Sequence, residues 1–263
     1  MKTTTKTRAL SLLMALCLMV TVLPLSSQAN SGTSDASDDF DYPRIPDLLM
    51  HSPYIQGYED GTFRPDTPVT RAEAAVVLWH QLQHYEQQPS YPHSYFSDVP
   101  DGLWYSDAVY RTAELYLLTG YEDSTFRPYE PITREQLAVV ICRFFQFSSQ
   151  FLNNPFSDIT GSWAYEYIVS AAEHGLMRGY EDGTFRPMNA VTRAEIITVI
   201  NRAIGRQMQT ENIPEEYYTF YSDLPVSHWA FQDILEASVF HQVATFAEDG
   251  TERWGWHQNN AIT

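Results

Sequence analysis

A segment of 17 residues occurs three times in this chain, and this repetition constrains the fold more than any other feature. The copies begin at Gly57, Gly120 and Gly179 and read GYEDGTFRPDTPVTRAE, GYEDSTFRPYEPITREQ and GYEDGTFRPMNAVTRAE. Their starts lie 63 and 59 residues apart. A near-fixed period of this length is typical of one supersecondary unit used repeatedly, in which each unit buries its apolar face against its neighbours.

Each copy ends with a signal for the start of a helix. A threonine is followed three residues later by Glu or Gln, which is the pattern of a reciprocal capping box. The pairs are Thr70 with Glu73, Thr133 with Gln136, and Thr192 with Glu195. The residues that follow are apolar on nearly every side, as is typical of helices at the centre of an assembly. We therefore predict an all-α fold, in which three repeat units form a pseudo-threefold assembly around a central three-helix bundle.

A second repeated element lies between these copies. In it an aromatic residue, Ser and Asp precede a tryptophan that opens a helical stretch, at Trp104, Trp163 and Trp229. The residue five positions after each tryptophan is apolar and marks one helical face; these residues are Val109, Ile168 and Ile234. The chain opens with a turn and a capped helix and closes with a Trp helix. We therefore expect the helix after Trp229 to fill the position that the first repeat lacks upstream.

The predicted domain organisation follows these elements. Residues 1–29 have the basic start, apolar middle and small-residue end of a signal peptide, with an uncleaved membrane anchor as the alternative. Residues 30–41 are small, polar and acidic, which is typical of a flexible linker. The repeats are expected at residues 42–95, 96–155 and 156–220, and the first lacks its upstream helix. Residues 221–263 hold the closing half-repeat and a short tail, and no segment after the signal peptide is apolar enough to span a membrane.

Charge and cysteine content exclude several classes of function. Without the signal peptide the chain has 13 basic residues, all Arg, against 33 acidic ones, a net charge of −20. General electrostatic attraction to nucleic acid is therefore not expected. Cys142 lies in an apolar run and is expected to be a buried core residue, without a disulfide. The Asp-Gly turns lack the alternating oxygen ligands of a calcium loop, so we expect no metal site and no cofactor.

The repeated motifs resemble those of the S-layer homology domain family. The aromatic-Ser-Asp, the Trp, the GYEDGTFRP turn and the Thr-Arg-Ala-Glu helix start follow the order of that family, and each element occurs three times, with GYEDSTFRP and Thr-Arg-Glu-Gln as the forms in copy two. The resemblance implies a three-pronged, mostly helical pseudo-trimer that attaches proteins non-covalently to bacterial cell walls. It also implies binding of a secondary cell-wall polymer, often one ending in pyruvylated N-acetylmannosamine, in grooves between adjacent repeats. In that family the Arg of the Thr-Arg-Ala-Glu motif is a recurrent contact.

Three sets of residues are candidates for ligand binding. The arginines at the first helical position carry a planar fork that suits a carboxylate, at a helix end that favours anions; they are Arg71, Arg134 and Arg193. The alternative is that they pair with acidic residues of the neighbouring repeat, for instance Asp98, Asp158 or Asp223. The tryptophans at 104, 163 and 229 can stack on a sugar or pack in the core. The turn tyrosines Tyr58, Tyr121 and Tyr180 can hydrogen-bond a saccharide or only cap the fold.

We predict a secreted, non-catalytic protein of the bacterial cell wall or cell surface that binds an anionic, for instance pyruvylated, wall polysaccharide. Up to three weak sites would act together through effective concentration. The alternative is a surface adaptor or assembly protein that binds another envelope protein. An enzymatic function, such as glycan hydrolysis, is supported only by acidic residues that turns and caps already explain.

Copy two departs from the pattern at Ser124 and Gln136, so equal binding by all three sites is not assured.

Overall fold

The computed structural model describes residues 50–82, 96–147, 153–206, 213–246 and 252–257, so the predicted signal peptide and linker lie outside the described residues. These ranges contain six α-helices. They are α1 (Arg71–Leu82), α2 (Ser106–Glu114), α3 (Arg134–Phe145), α4 (Tyr165–Glu173), α5 (Arg193–Ile204) and α6 (Phe231–Ser238). A short 3₁₀ helix spans Glu215–Tyr217. The helix-rich class predicted from the sequence is confirmed.

The three longer helices begin at the predicted capping boxes. At α3 the Thr133 hydroxyl accepts the backbone N–H of Gln136 at 3.3 Å, and the Gln136 side chain accepts that of Thr133 at 3.2 Å. The same reciprocal bonds join Thr192 to Glu195 and Thr70 to Glu73. Two otherwise unpaired donors at each helix start are thereby satisfied.

The three shorter helices pack on the longer ones, α2 on α1, α4 on α3 and α6 on α5. Their predicted inward positions are fully buried, at Val109, Ile168 and Ile234. Cys142, in α3, is buried as expected, and burial raises the pKa of its thiol to about 11. In the part of the chain that the structure describes, no helix combines the length and hydropathy needed to cross a membrane.

The short segments that lead into α1, α3 and α5, here called the spacers, form a closed cycle of backbone hydrogen bonds. The N–H of Ile132 donates to the carbonyl of Val69 at 2.9 Å, and the N–H of Val69 donates to that of Val191 at 2.8 Å. The cycle closes where Val191 donates to Ile132 at 2.9 Å. All three side chains are buried. The three copies therefore meet at one place, each bonded to both others.

The aspartate of each aromatic-Ser-Asp element binds the main chain of a turn. The two carboxylate oxygens of Asp98 accept the N–H groups of Phe126 and Arg127, both at 2.7 Å. Asp158 does the same for Phe185 and Arg186 at 2.8 Å. Asp223 does so for Phe63 and Arg64 at 2.7 Å. The second and third turns are thus held by the aromatic-Ser-Asp segment that precedes each of them. The first turn is held by the aromatic-Ser-Asp segment at Asp223, which is the last of the three in the sequence.

The structure also contains a small antiparallel sheet that the sequence analysis did not predict. Its strands, in sheet order, are β1 (Met50–His51), β2 (His241–Phe246) and β3 (Glu252–His257). In β1, Met50 pairs with Gln242 and His51 with His241. The sheet joins the first described residues to the segment that follows α6.

Candidate functional site

The three helix-start arginines are buried and held in one orientation. Their exposed fractions are 3% for Arg71 and 6% for both Arg134 and Arg193. The Nε of Arg71 donates to the Phe126 carbonyl at 2.8 Å, and its Nη2 donates to the Thr119 carbonyl at 2.8 Å. Equivalent bonds join Arg134 to the carbonyls of Phe185 and Arg178, and Arg193 to those of Phe63 and Gln56. Each guanidinium therefore crosses from its own copy to the turn of the next.

The acidic partners proposed for these arginines bind elsewhere. The carboxylates of Asp98, Asp158 and Asp223 accept backbone N–H groups of the turns, and none of the three forms an ion pair with these arginines among the described residues. The alternative pairing with an acidic residue of the neighbouring repeat occurs at Arg134, through a different residue. Arg134 forms an ion pair with Glu195, with 3.1 Å between Nη1 and Oε1. No ion pair of Arg71 or Arg193 occurs among the residues that the structure describes. In these two copies, therefore, the guanidinium at the helix start forms no ion pair with any residue that the structure describes.

Each turn tyrosine lies between two guanidinium groups. The ring centroid of Tyr121 is 4.9 Å from the Cζ of Arg71 and 3.9 Å from the Cζ of Arg127. The same arrangement places Tyr180 between Arg134 and Arg186, and Tyr58 between Arg193 and Arg64. The rings are partly exposed. Cation–π attraction holds the tyrosine beside the buried arginine, so the candidate arginines and the candidate tyrosines meet.

The arginines between Phe and Pro form ion pairs inside the turn. Arg64 pairs with Asp60 at 2.8 Å, and Arg186 pairs with Asp182 at 2.9 Å. Arg127 pairs with Asp123 at 3.2 Å. These three arginines have φ values of 57° to 59°, in the left-handed region. The aspartate that receives their backbone N–H holds the main chain in this strained form.

The tryptophans are exposed, so the core-packing interpretation is wrong. The exposed fractions are 64% for Trp104, 63% for Trp163 and 58% for Trp229. The indole Nε1 of Trp163 donates to Glu135 Oε1 at 2.7 Å, and Glu135 follows Arg134 in α3. Trp163 therefore lies at the helix start of the preceding copy. An exposed aromatic face beside a helix start is suited to contact a sugar ring.

The surroundings of the other two tryptophans are joined to the corresponding helix starts less directly. Beside Trp104, the hydroxyl of Tyr105 donates to that of Tyr129 at 3.2 Å, and the backbone carbonyl of the next residue, Glu130, accepts the N–H of Arg71 at 2.9 Å. Beside Trp229, the Nε2 of His228 is 3.8 Å from Asp66 Oδ1, and the carbonyl of the next residue, Thr67, accepts the N–H of Arg193 at 3.0 Å. We define site one by Arg71 and Trp104, site two by Arg134 and Trp163, and site three by Arg193 and Trp229.

Site two has a carboxylate that the other sites lack. The position after the arginine is alanine in copies one and three, at Ala72 and Ala194, and glutamate in copy two. Besides the indole of Trp163, the Glu135 carboxylate accepts the hydroxyl of Ser162 at 2.6 Å. It is buried. The sequence analysis missed Glu135, although its place beside a candidate arginine is visible in the motif.

Fold and sites together define a helical repeat protein, whose three units each have an oriented arginine at a capped helix and an exposed tryptophan. The sequence model of the S-layer homology domain matches residues 48–75, 95–138 and 155–197. This chain therefore belongs to the S-layer homology domain family, which confirms the resemblance seen in its motifs.

Several relatives of this chain have names that describe anchoring or cell-surface proteins of bacteria. It is 34% identical over 207 residues to the cellulosome-anchoring protein of Acetivibrio thermocellus, a match that covers 76% of this chain and 45% of that protein. It is 34% identical over 215 residues to cell surface glycoprotein 1 of the same organism, covering 78% of this chain and 9% of that protein. The surface-layer 125 kDa protein of Lysinibacillus sphaericus is 28% identical over 161 residues, covering 59% of this chain and 13% of that protein.

The chain spans less than half the length of each of these relatives. Their shared character confirms the predicted location, which is secreted, at the bacterial cell wall or cell surface. The family and these relatives also support a role in cell-surface anchoring.

Proposed function

We propose that this protein is a non-catalytic anchoring module that binds an anionic secondary cell-wall polysaccharide, such as a pyruvylated one. The observation that carries this proposal is the trio of buried arginines whose orientation is set by carbonyls of the next copy. A carboxylate that reaches such a guanidinium interacts in a poorly solvated place, where a charge-assisted hydrogen bond is strong. No nucleic acid partner is proposed.

In each proposed site an arginine and an aromatic side chain would contact different parts of the ligand. Two of the five guanidinium donors of Arg71 bind carbonyls, and these bonds leave donors directed elsewhere. Trp104 offers the flat surface on which the apolar face of a sugar can stack. The arginine would select for the acidic substituent, whereas the tryptophan would contribute affinity for the saccharide itself.

We infer that the three sites are unequal. Sites one and three have an arginine without an acidic partner among the described residues and a fully buried alanine after it. In site two the arginine pairs with Glu195, and Glu135 adds a second carboxylate. A like charge in a partly buried site disfavours an incoming anion. Sites one and three are therefore expected to bind the polymer, with avidity from their linkage in one chain.

We also propose the pseudo-threefold arrangement of three repeats, with the half-repeat at residues 221–263 completing the first. The cyclic bonds among the three spacers support this organisation, as do the equivalent aspartate contacts at the three turns. The boundaries of the repeats, at residues 42–95, 96–155 and 156–220, are part of the proposal.

Sedimentation with purified cell walls tests the function with variants that spare the fold. The arginines also bind main-chain carbonyls, so their replacement by alanine would change stability as well as binding. Replacement of the exposed tryptophans is expected to change binding with less effect on stability. Trp104→Ala with Trp229→Ala should reduce the sedimented fraction by about tenfold or more, since the loss of a stacked aromatic costs about 1–3 kcal/mol per site. Trp163→Ala, at site two, is the matched control.

The adaptor alternative gives a different result in the same experiment. If the protein binds another envelope protein, walls stripped of protein but not of polymer will fail to sediment it. Sedimentation by such walls, lost on extraction of the polymer, supports the polysaccharide proposal. Retention of wall binding by the double tryptophan variant would contradict the role given to the aromatic face.

A further inference from the structure

Two histidines and a glutamate converge in the interior, away from the sites described above. They are His51 in β1, Glu236 in α6 and His241 at the start of β2, with exposed fractions of 5%, 1% and 0%. The Nδ1 of His51 is 2.7 Å from Glu236 Oε1, and the Nε2 of His241 is 3.1 Å from Oε2. One ligand atom from each residue lies within 4.8 Å of the others. The pairing of β1 with β2 brings the two histidines together.

The Nε2 atom of His241 faces a carboxylate oxygen of Glu236 in the cluster. The other ring nitrogen, Nδ1, is 2.9 Å from the carbonyl oxygen of Val239, which can only accept, so Nδ1 carries a hydrogen. Nε2 is then a lone pair in the neutral ring and a second N–H in the imidazolium. This atom is buried and makes no well-aligned hydrogen bond among the described residues, although Glu236 Oε2 lies 3.1 Å away. A positive charge is needed between a lone pair and a carboxylate at this distance, and either a proton on Nε2 or a bound metal ion can supply it.

The groups around the cluster already hold its side chains in place. The indole of Trp254 stacks on the His241 ring, with centroids 4.2 Å apart and planes 14° apart. Its Nε1 donates to Glu236 Oε2 at 3.3 Å. A metal-binding histidine almost always donates its other N–H to a carbonyl or carboxylate, and a metal-binding carboxylate is itself hydrogen-bonded. The bond from His241 to Val239 and the bond from Trp254 to Glu236 match this arrangement.

We propose that His51, Glu236 and His241 bind one divalent transition-metal ion, for which zinc is the best match. Two imidazole nitrogens and one carboxylate form a common zinc donor set, with bonds of about 2.0–2.2 Å. Magnesium and calcium take oxygen ligands and suit this set poorly. Three ligands leave one tetrahedral position for a water molecule or for the second carboxylate oxygen.

The burial of the cluster assigns the ion a structural role. It would tie residue 51, near the start of the described chain, to α6 and β2 near its end. An ion that binds only the folded state stabilises it by mass action. Zinc at about 100 times its dissociation constant would raise Tm by about 5–10 °C for a domain of this size.

Metal binding by the whole, untagged chain tests the proposal. After treatment with a chelator, the protein is titrated with zinc or magnesium, and bound metal is measured by mass spectrometry alongside Tm. We expect about one zinc per chain, with a higher Tm, and no effect of magnesium. His51→Gln and His241→Gln should lose both effects. The exposed His80 supplies a matched control, because His80→Gln should lose neither.

A second measurement needs no variant and so does not depend on whether the variants fold. The ring-nitrogen NMR signal of His241 Nε2 reports a lone pair, a proton or a bound metal. A zinc-dependent shift of this signal supports the site. Stoichiometric zinc binding that vanishes in His80→Gln, or a His241 Nε2 that is protonated and indifferent to zinc, would overturn the proposal.

Discussion

The carboxylate of Asp223 accepts the backbone N–H of Phe63 at 2.7 Å, across 160 residues of chain. The corresponding bond in the second turn, from Phe126 to Asp98, spans only 28 residues. The same local geometry therefore recurs with very different sequence separations. Asp223, late in the chain, thus gives the first turn the contact that Asp98 gives the second.

Removal of this carboxylate should destabilise the whole fold. Asp223→Ala leaves the N–H groups of Phe63 and Arg64 without their acceptor, which we expect to cost about 2–4 kcal/mol, because hydrogen bonds to charged groups contribute more than neutral ones. The free energy of unfolding from urea titration checks this. Glu181→Ala removes an exposed turn carboxylate as the control. Equal stabilities of the two variants would contradict the closing role of Asp223.

The first glycine of each turn should not tolerate a side chain. A Cβ at Gly120 would overlap the ring of Phe96 and lie 2.7 Å from the carbonyl oxygen of Thr125. Because the ring is packed against the Phe126 ring, with centroids 5.4 Å apart, we expect Gly120→Ala to cost about 1–3 kcal/mol of unfolding free energy. Gly161→Ala, where nothing lies within 4 Å, should have a much smaller effect on thermal unfolding.

The turn of copy two is strained at a residue where its counterparts have glycine. Ser124 has a φ of 61°, whereas Gly61 and Gly183 have 76° and 77°. A left-handed conformation costs a residue with a Cβ about 1–2 kcal/mol, and the greater unfolded-state freedom of glycine offsets part of that cost. Ser124→Gly should therefore raise the free energy of unfolding by about 0.5–1 kcal/mol. Gly183→Ser should lower it, and calorimetry showing the opposite order would contradict this account.

The turn aspartates Asp60 and Asp182 should stay ionised until the pH falls well below neutral. The Thr62 hydroxyl, followed by the Arg64 guanidinium, lowers the pKa of Asp60 to about 2, and the same groups in copy three lower that of Asp182 to about 2. A depressed carboxylate pKa adds stability above the unfolded value, and that stability is lost as pH falls through the folded value. NMR titration should show both aspartates still ionised at about pH 3, since this lies above the depressed values.

A single substitution should change the pKa of one of these two aspartates and not the other. Thr62→Val should move the pKa of Asp60 upward and leave Asp182 unchanged. If Asp60 already titrates near its ordinary value in the unmodified chain, the hydrogen bond from Thr62 does not have the effect assigned to it.

Local features of this fold could be predicted from the sequence, whereas contacts between distant segments could not. The capping box of Thr133 and Gln136 lies within four residues, so the pattern alone predicts it. The strand β1 has two residues and pairs with residues 241 and 242, so it offers no alternation that a sequence pattern can reveal. The His51, Glu236 and His241 cluster depends on that pairing and was missed with it.

The candidate site was predicted in its residues but not in its contacts. The sequence marks Arg71 as an arginine at a helix start, but it cannot show that the neighbouring turn offers the carbonyls of Phe126 and Thr119. Asp98 was only an alternative partner for an arginine side chain, and it accepts main-chain N–H groups that no sequence pattern marks as available. The exposure of Trp104 likewise depends on how the helices pack.

The central claim is that oriented arginines at capped helices bind the acidic groups of a wall polysaccharide. The most direct measurement is calorimetric binding of the unmodified chain to purified wall polymer, before and after chemical removal of its acidic substituent. We predict binding to the intact polymer and a loss of at least about tenfold in affinity for the neutral one, since a charge-assisted hydrogen bond contributes about 1.5–3 kcal/mol. Equal affinity for the two polymers would contradict the claim.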